Sequence, residues 1–267
     1  MTPTKLTVPG DGRELDAYLA VPEGPTRRGP AVVVIHEIFG PDAHIQDVCQ
    51  RFAAEGYVAL APNLFTGEIE KLLTPANIGL AMKAFATAPP DLRRDPTKFA
   101  EFSASQPPER RPVLGAFARV MSPQVQASFA RDLLSVARHL RTLPSVDPKR
   151  TGSLGFCFGG AMSARMATVD PDLRASVIFY GQNPPLEDVP HIRAAVLGLY
   201  GGEDVGVTGQ VPLFAEAMKK AGKSFESHVY PGAAHAFFND TRPVYHPESA
   251  KDAWQRVLTF FRRELGT

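Results

Sequence analysis

Ala31-Val32-Val33-Val34-Ile35 is an unbroken apolar run, mostly β-branched, closed by Gly29-Pro30 on one side and His36-Glu37 on the other. A strand that reads this way is buried on both faces, so the chain must supply helices above and below a sheet. The next segment supplies one, because Ile45, Val48, Cys49, Phe52 and Ala53 recur at helical spacing up to Gly56. Tyr57-Val58-Ala59-Leu60-Ala61 then reads as a second short buried strand, and strand, helix, strand predicts a right-handed parallel crossover. Ahead of it, Leu15 to Val21 alternates.

The same rhythm returns later. A helix is predicted from Pro123 to Leu143, with Val125, Phe129, Leu133, Val136 and Leu140 on one face. A strand near Arg150 to Phe156, a helix from Gly160 to Thr168, and strands at Ala175 to Tyr180 and Ala194 to Tyr200 follow. A helix near Pro212 to Ala221, a strand at Ser224 to Tyr230 and a helix from Pro247 to Leu265 complete the chain. The pattern predicts an α/β fold, a mostly parallel sheet with helices on both faces, and no internal repeat is visible.

Between Asn63 and about Ser122 the rhythm weakens, broken by Pro75, Pro89-Pro90, Pro96, Pro107-Pro108 and Pro112 into short helical pieces such as Ile78 to Ala86. Phe85, Phe99, Phe102, Leu114, Phe117 and Met121 make it too apolar for a free linker, so residues 63–122 are expected to be a helical insertion that covers the body of the fold as a lid. With 267 residues the chain suits one large α/β domain, 1–267, or two small ones, and one is expected.

Charge narrows the function. The 29 basic and 28 acidic side chains nearly cancel, at +1, and no run of Lys or Arg exceeds a pair. Nucleic acid and membrane partners are therefore not expected. No apolar stretch approaches the roughly 18 residues of a membrane span, and a soluble cytoplasmic protein is expected. Cys49 and Cys157 cannot build a disulfide framework, no cluster has metal-ligand spacing, and no glycine-rich phosphate loop is present, so neither a metal nor another cofactor is expected.

Gly155-Phe156-Cys157-Phe158-Gly159-Gly160 lies where a buried strand turns into a helix. It has the form of a nucleophile elbow, with Cys where Ser is more usual. Alone it would also suit a structural cysteine beside a tight turn. Two later features weigh against that: Gly201-Gly202-Glu203-Asp204 puts acids just beyond a strand, and Ala233-Ala234-His235 puts a histidine in the loop after the next. Nucleophile, acid, base is the α/β-hydrolase order, in which Cys157 meets His235 and His235 meets Asp204; Glu203 is the rival acid. The backbone N–H groups of Phe158 and Ile38 occupy the positions expected of oxyanion donors.

With His36-Glu37-Ile38-Phe39-Gly40 and Ala234-His235-Ala236-Phe237 added in order, the chain resembles the dienelactone hydrolases (carboxymethylenebutenolidases), over most of residues 15 to 265 but not from Asn63 to Ser122. The resemblance implies an α/β-hydrolase fold, Cys157 as nucleophile, His235 as base, Asp204 as its orienting acid, and Ile38 and Phe158 as oxyanion donors. It also implies that Glu37 sits beside Cys157 and controls its ionisation. His36, Phe39, Phe237 and Phe238 are expected substrate contacts, although His36 equally suits a structural role. One departure stands out: dienelactone-cleaving relatives carry an arginine shortly after the catalytic histidine, where this chain reads Ala236-Phe237-Phe238-Asn239-Asp240.

The expected partner is thus a small ester or lactone, neutral or hydrophobic, opened through an acyl-cysteine intermediate by a monomer or small homo-oligomer. A binding protein that has lost turnover and a thiol-redox protein are the alternatives. Cys49 reads as packing, and Arg93-Arg94, Arg110-Arg111 and Arg262-Arg263 as solvated, unless Arg93, Arg94, Arg110, Arg111 or Arg242 replaces the missing cation.

Overall fold

The computed structural model describes residues 4–24, 28–87 and 96–266. Strands β1 (Thr4–Pro9), β2 (Glu14–Ala20), β3 (Gly29–Ile35), β4 (Val58–Pro62), β5 (Val146–Phe156), β6 (Ala175–Phe179), β7 (Ala195–Gly201) and β8 (Phe225–Tyr230) form one sheet, ordered β1-β2-β4-β3-β5-β6-β7-β8. From β4 to β8 every neighbouring pair is parallel, while β2 runs antiparallel to both β1 and β4.

Strand β3 shows why its sequence carries no alternation. Ala31, Val33 and Ile35 enter a core on one face, and Val32 and Val34 a core on the other. The first core holds Phe129, Leu133, Val136 and Leu140 of α6 (Pro123–Thr142) and Met162 and Met166 of α7 (Phe158–Val169). The second holds Ile45, Val48, Cys49 and Phe52 of α1 (Ala43–Ala54) with Trp254, Val257 and Phe261 of α10 (Pro247–Phe261). Helix α1 starts where Asp42 accepts the Ile45 N–H, and α6 where Ser122 accepts that of Val125.

The segment between β4 and α6 folds as α2 (Glu68–Leu72), α3 (Pro75–Thr87), α4 (Pro96–Ser105) and α5 (Arg111–Met121). Ile78, Phe99, Leu114, Phe117 and Val120 join the first core, so these helices pack on the face that carries α6. Phe85's side chain, Arg93 and Arg94 lie outside the described residues.

Two short helices, α8 (Val205–Thr208) and α9 (Val211–Lys220), link β7 to β8. The last helix ends at Phe261, earlier than its pattern predicts, and the chain continues as a wider turn over Arg262–Gly266. Thr4–Pro9 is a strand that periodicity did not single out; its side chains are mostly exposed at the sheet edge, and only buried Val8 and half-buried Leu6 carry an apolar signal.

Candidate active site

Five strand ends meet at one edge of the sheet. The loop after β3 brings Glu37 and Ile38, the end of β5 brings Cys157, β6 delivers Tyr180, β7 delivers Asp204 and β8 delivers His235. Convergence of loops at the C-terminal ends of parallel strands lets residues far apart in sequence work together.

Cys157 holds φ 56° and ψ −115°, a conformation that side-chain-bearing residues rarely adopt. The glycines around it are required by space. A Cβ on Gly155 would lie 2.0 Å from the Gly159 carbonyl oxygen, and one on Gly159 would lie 2.2 Å from that of Ile35. The Cys157 N–H donates to the Phe179 carbonyl at 3.0 Å, tying the turn to β6. Phe158 follows as the first residue of α7, whose opening N–H groups have no partner within the helix. Among the described residues, the non-glycine positions with positive φ are Cys157, Tyr180 and Ala236, all at this edge. Such clustering of strained backbone marks functional sites.

His235 Nδ1 and Asp204 Oδ2 are 2.5 Å apart, with the Asp204 side chain 14% exposed. Glu203, the rival acid, is exposed and meets the loop after β8 through its backbone N–H, bonded to the Ala233 carbonyl. Burial pulls the His235 pKa down, but hydrogen bonds to Asp204 and Cys157, reinforced by their charges, outweigh it and raise the pKa to about 10. With Nδ1 committed to Asp204, Nε2 is the atom left for the thiol.

Glu37 is buried, yet its carboxylate is bonded on both oxygens. The Tyr180 hydroxyl donates to Oε1 at 3.3 Å and Asn239 Nδ2 donates to Oε2 at 2.8 Å. Burial pushes the Glu37 pKa up, against the Asn239 bond and the nearby charge of His44. Tyr180 is itself raised well above the usual phenol value, by burial first and then by the charges of Glu37 and Cys157. The phenol thus feels the charges of both the carboxylate and the thiol. The resemblance implies that Glu37 sits beside Cys157; its carboxylate is held by Tyr180 and Asn239, and no hydrogen bond between Glu37 and Cys157 is found among the described residues.

A cavity of about 130 Å³ opens on Cys157. Ile38, Phe158, Ala161, Tyr180, Val207 and His235 line it from the sheet edge, with Met82, Phe117, Met121 and Gln126 from the helices between residues 75 and 142, and Gln182 beside them. No lysine or arginine is in this lining.

Several expected substrate contacts lie elsewhere. Phe237 and Phe238 are buried in the second core, Phe237 against Tyr230 and Tyr180, and Phe238 against Phe156, Phe179 and Trp254. The left-handed turn at Ala236 directs them away from the cavity. His36 is fully buried, its Nε2 accepting from the Leu64 N–H at 3.1 Å and its Nδ1 facing the Glu37 carbonyl at 2.6 Å, which is the structural role. Burial lowers the His36 pKa to about 4, against that backbone bond. Phe39 faces a neighbouring polar cavity, and Arg242 is stacked over its ring at 3.8 Å. Arg110 and Arg111 are exposed, and Arg111 donates to the Gln106 carbonyl. Cys49 is buried, with its thiol pKa pushed up by burial.

Tyr180, Asn239, Met82, Gln126, Ala161, Gln182 and Val207 are not among the site residues expected from sequence. Tyr180 carried a usable signal, since it ends a strand beside the elbow; the others follow no motif.

The family model of the dienelactone hydrolase family matches residues 15–265, a span that includes residues 63–122. A Saccharolobus solfataricus protein provisionally named carboxymethylenebutenolidase is 38% identical over 254 residues, 95% of each chain. One from Salmonella typhimurium with the same provisional name is 33% identical, over 97% of this chain and 87% of its own. A Klebsiella pneumoniae crystal structure, described provisionally as a dienelactone hydrolase, superposes with a TM-score of 0.71 at 32% identity, covering 98% of both chains. The chain belongs to the dienelactone hydrolase family and is an ester and lactone hydrolase of the α/β-hydrolase fold.

Proposed function

We propose that the protein hydrolyses small, uncharged esters or lactones through an acyl-cysteine intermediate on Cys157. The Cys157 sulfur, paired with the His235 imidazolium, attacks the substrate carbonyl and forms a C–S bond. The oxyanion collects N–H donors from Ile38 and Phe158. On collapse the C–O bond breaks, and His235 gives its proton to the departing alkoxide. Water, deprotonated by His235, then attacks the acyl-cysteine; the acid leaves and the thiol is restored. Asp204 holds the ring and stabilises the imidazolium. Glu37, through Tyr180, restrains the thiolate until substrate arrives.

The observation that carries the substrate class is the cavity wall, apolar apart from Gln126, Gln182, Tyr180 and His235 and free of lysine and arginine. A substrate carboxylate would lose its hydration there with no lysine or arginine to pair with and with His235 already held by Asp204, a loss of roughly 1.5 to 3 kcal/mol relative to a site that supplies a free cation. The volume supports a small acyl group, since an apolar cavity of roughly 150 Å³ accommodates benzene. The helices that supply Met82, Phe117 and Met121 act as the cover of this site and exclude water from it.

The test is a matched pair of aryl esters, one with a free carboxylate and one with its methyl ester. We expect the methyl ester to have the higher kcat/KM. Preference for the anion would overturn the substrate class and direct attention to Arg242. A burst of aryl alcohol at one equivalent per chain is expected from the acyl-enzyme; a protein that only binds would give none.

A further inference from the structure

His44 is an anomaly beside the site. It lies in the first turn of α1 and is 3% exposed, yet neither ring nitrogen has a hydrogen-bond partner among the described residues. Leaving such groups unpaired in the interior is costly, and each instance calls for a physical reason.

Its surroundings supply one. The ring is wedged between Phe156, which precedes Cys157, and Phe238, which precedes Asn239, with centroids 5.3 and 5.9 Å away. Nδ1 stands 3.6 Å from Asp240 Oδ1, so a protonated ring gains an ion pair with the residue next to Glu37's amide donor. Charge on His44 also favours the Glu37 carboxylate over its acid form. The other charged groups here are Asp42 at the cap of α1, Arg242 on the loop after β8, and Arg51 two turns along α1, close to Asp47 and Asp240.

We propose that His44, paired with Asp240, is a positioning residue that keeps Glu37 charged and thereby holds the Tyr180 hydroxyl away from the Cys157 thiolate. Without the charge of His44, only the Asn239 bond and the charge of Arg242 oppose the burial of Glu37, which then takes up a proton more readily. Tyr180 is then released to donate to the sulfur and stabilise the thiolate. This role rests on the one proposed above for Glu37.

The experiment is alkylation of Cys157 by iodoacetamide, read by peptide mass, across a series of pH values. His44→Gln and Asp240→Asn should each speed alkylation at the acid end by about threefold or more, as expected for loss of a partly screened charge. Both should flatten the pH dependence. In a Glu37→Gln background neither should have an effect, because the group through which they act is gone. An unchanged rate and profile in Asp240→Asn, or an equal effect of His44→Gln with and without Glu37, would overturn the proposal. Asp240 is 61% exposed, so its variant tests the pair without disturbing the core. Since mass reports the thiol directly, failure here is distinct from failure of the hydrolytic reading, which would appear as full esterase activity in Cys157→Ala.

Discussion

The Tyr180 hydroxyl donates to Glu37 Oε1 at 3.3 Å, so the phenol proton that could stabilise a Cys157 thiolate is committed to a carboxylate instead. Tyr180 also lines the cavity with Cys157, and its ring lies 5.1 Å from that of His235. Removing the competing acceptor should free that proton for the sulfur. Glu37→Gln is expected to speed alkylation of the resting enzyme at neutral pH by about tenfold, the scale of one charge-assisted hydrogen bond. The increase should vanish in a Tyr180→Phe background. An equal increase there would show that Glu37 acts on the thiol through its charge alone.

In the proposed mechanism Cys157 provides the covalent step and little of the core, so Cys157→Ala should fold normally and lose more than about a hundredfold in kcat/KM, or about 2.8 kcal/mol of transition-state stabilisation. Steady-state assays with an aryl ester, alongside circular dichroism, check this. A smaller loss would remove Cys157 as nucleophile.

Asp204 and His235 should behave as one unit. The losses from His235→Ala and Asp204→Asn should combine less than additively, because the acid works only through the ring. The proton on His235 is needed for the leaving group, so wild-type kcat/KM should fall as pH rises through about 10, where the ring loses it. In Asp204→Asn one of the bonds that raise that pKa is weakened, and the alkaline limb should move to lower pH. Full additivity, or an unmoved limb, would contradict the arrangement.

His36 predicts a stability effect with a definite sign. Its folded pKa of about 4 lies below the ordinary 6.5, so between these values the unfolded chain binds the extra proton. Its contribution is therefore fully present above pH 6.5 and declines as pH falls toward 4. From pH 7 to pH 5 the loss from this one group is about 2 kcal/mol. Urea unfolding at both pH values should show a drop that shrinks by about that amount in His36→Gln; equal drops would mean that His36 is not the group responsible.

Phe117 lines the cavity that the proposed mechanism assigns to the acyl group. Phe117→Ala should raise kcat/KM for a phenylacetyl ester relative to an acetyl ester by about tenfold, the discrimination typical of a small change in apolar pocket volume. A ratio that stays constant would place the acyl group elsewhere.

The sequence made some of this readable and hid the rest for physical reasons. The β3 run, the glycine-bounded elbow and the loops ending at Asp204 and His235 carry local signals, because a twice-buried strand and a strained turn each admit few residue types. The helical side of the cavity wall carries less, since Met82 and Gln126 reach it through helix packing that no periodicity specifies. Phe237 and Phe238 misled by proximity: two and three residues from His235 along the chain, they face the opposite way after the turn at Ala236. Asn239 was a polar residue among apolar ones and gained meaning only from its bond to Glu37.

The cavity draws its reactive atoms and its cover from different stretches of chain. Cys157, Asp204 and His235 stand on rigid strand ends, while Met82, Phe117, Met121 and Gln126 come from helices that precede the elbow in sequence. The cover touches the sulfur's surroundings without setting its backbone. Substitutions in it can therefore accumulate without disturbing the bond-breaking geometry, and flexible methionines let it reshape around new acyl groups. A scaffold divided in this way can change its diet while keeping its teeth.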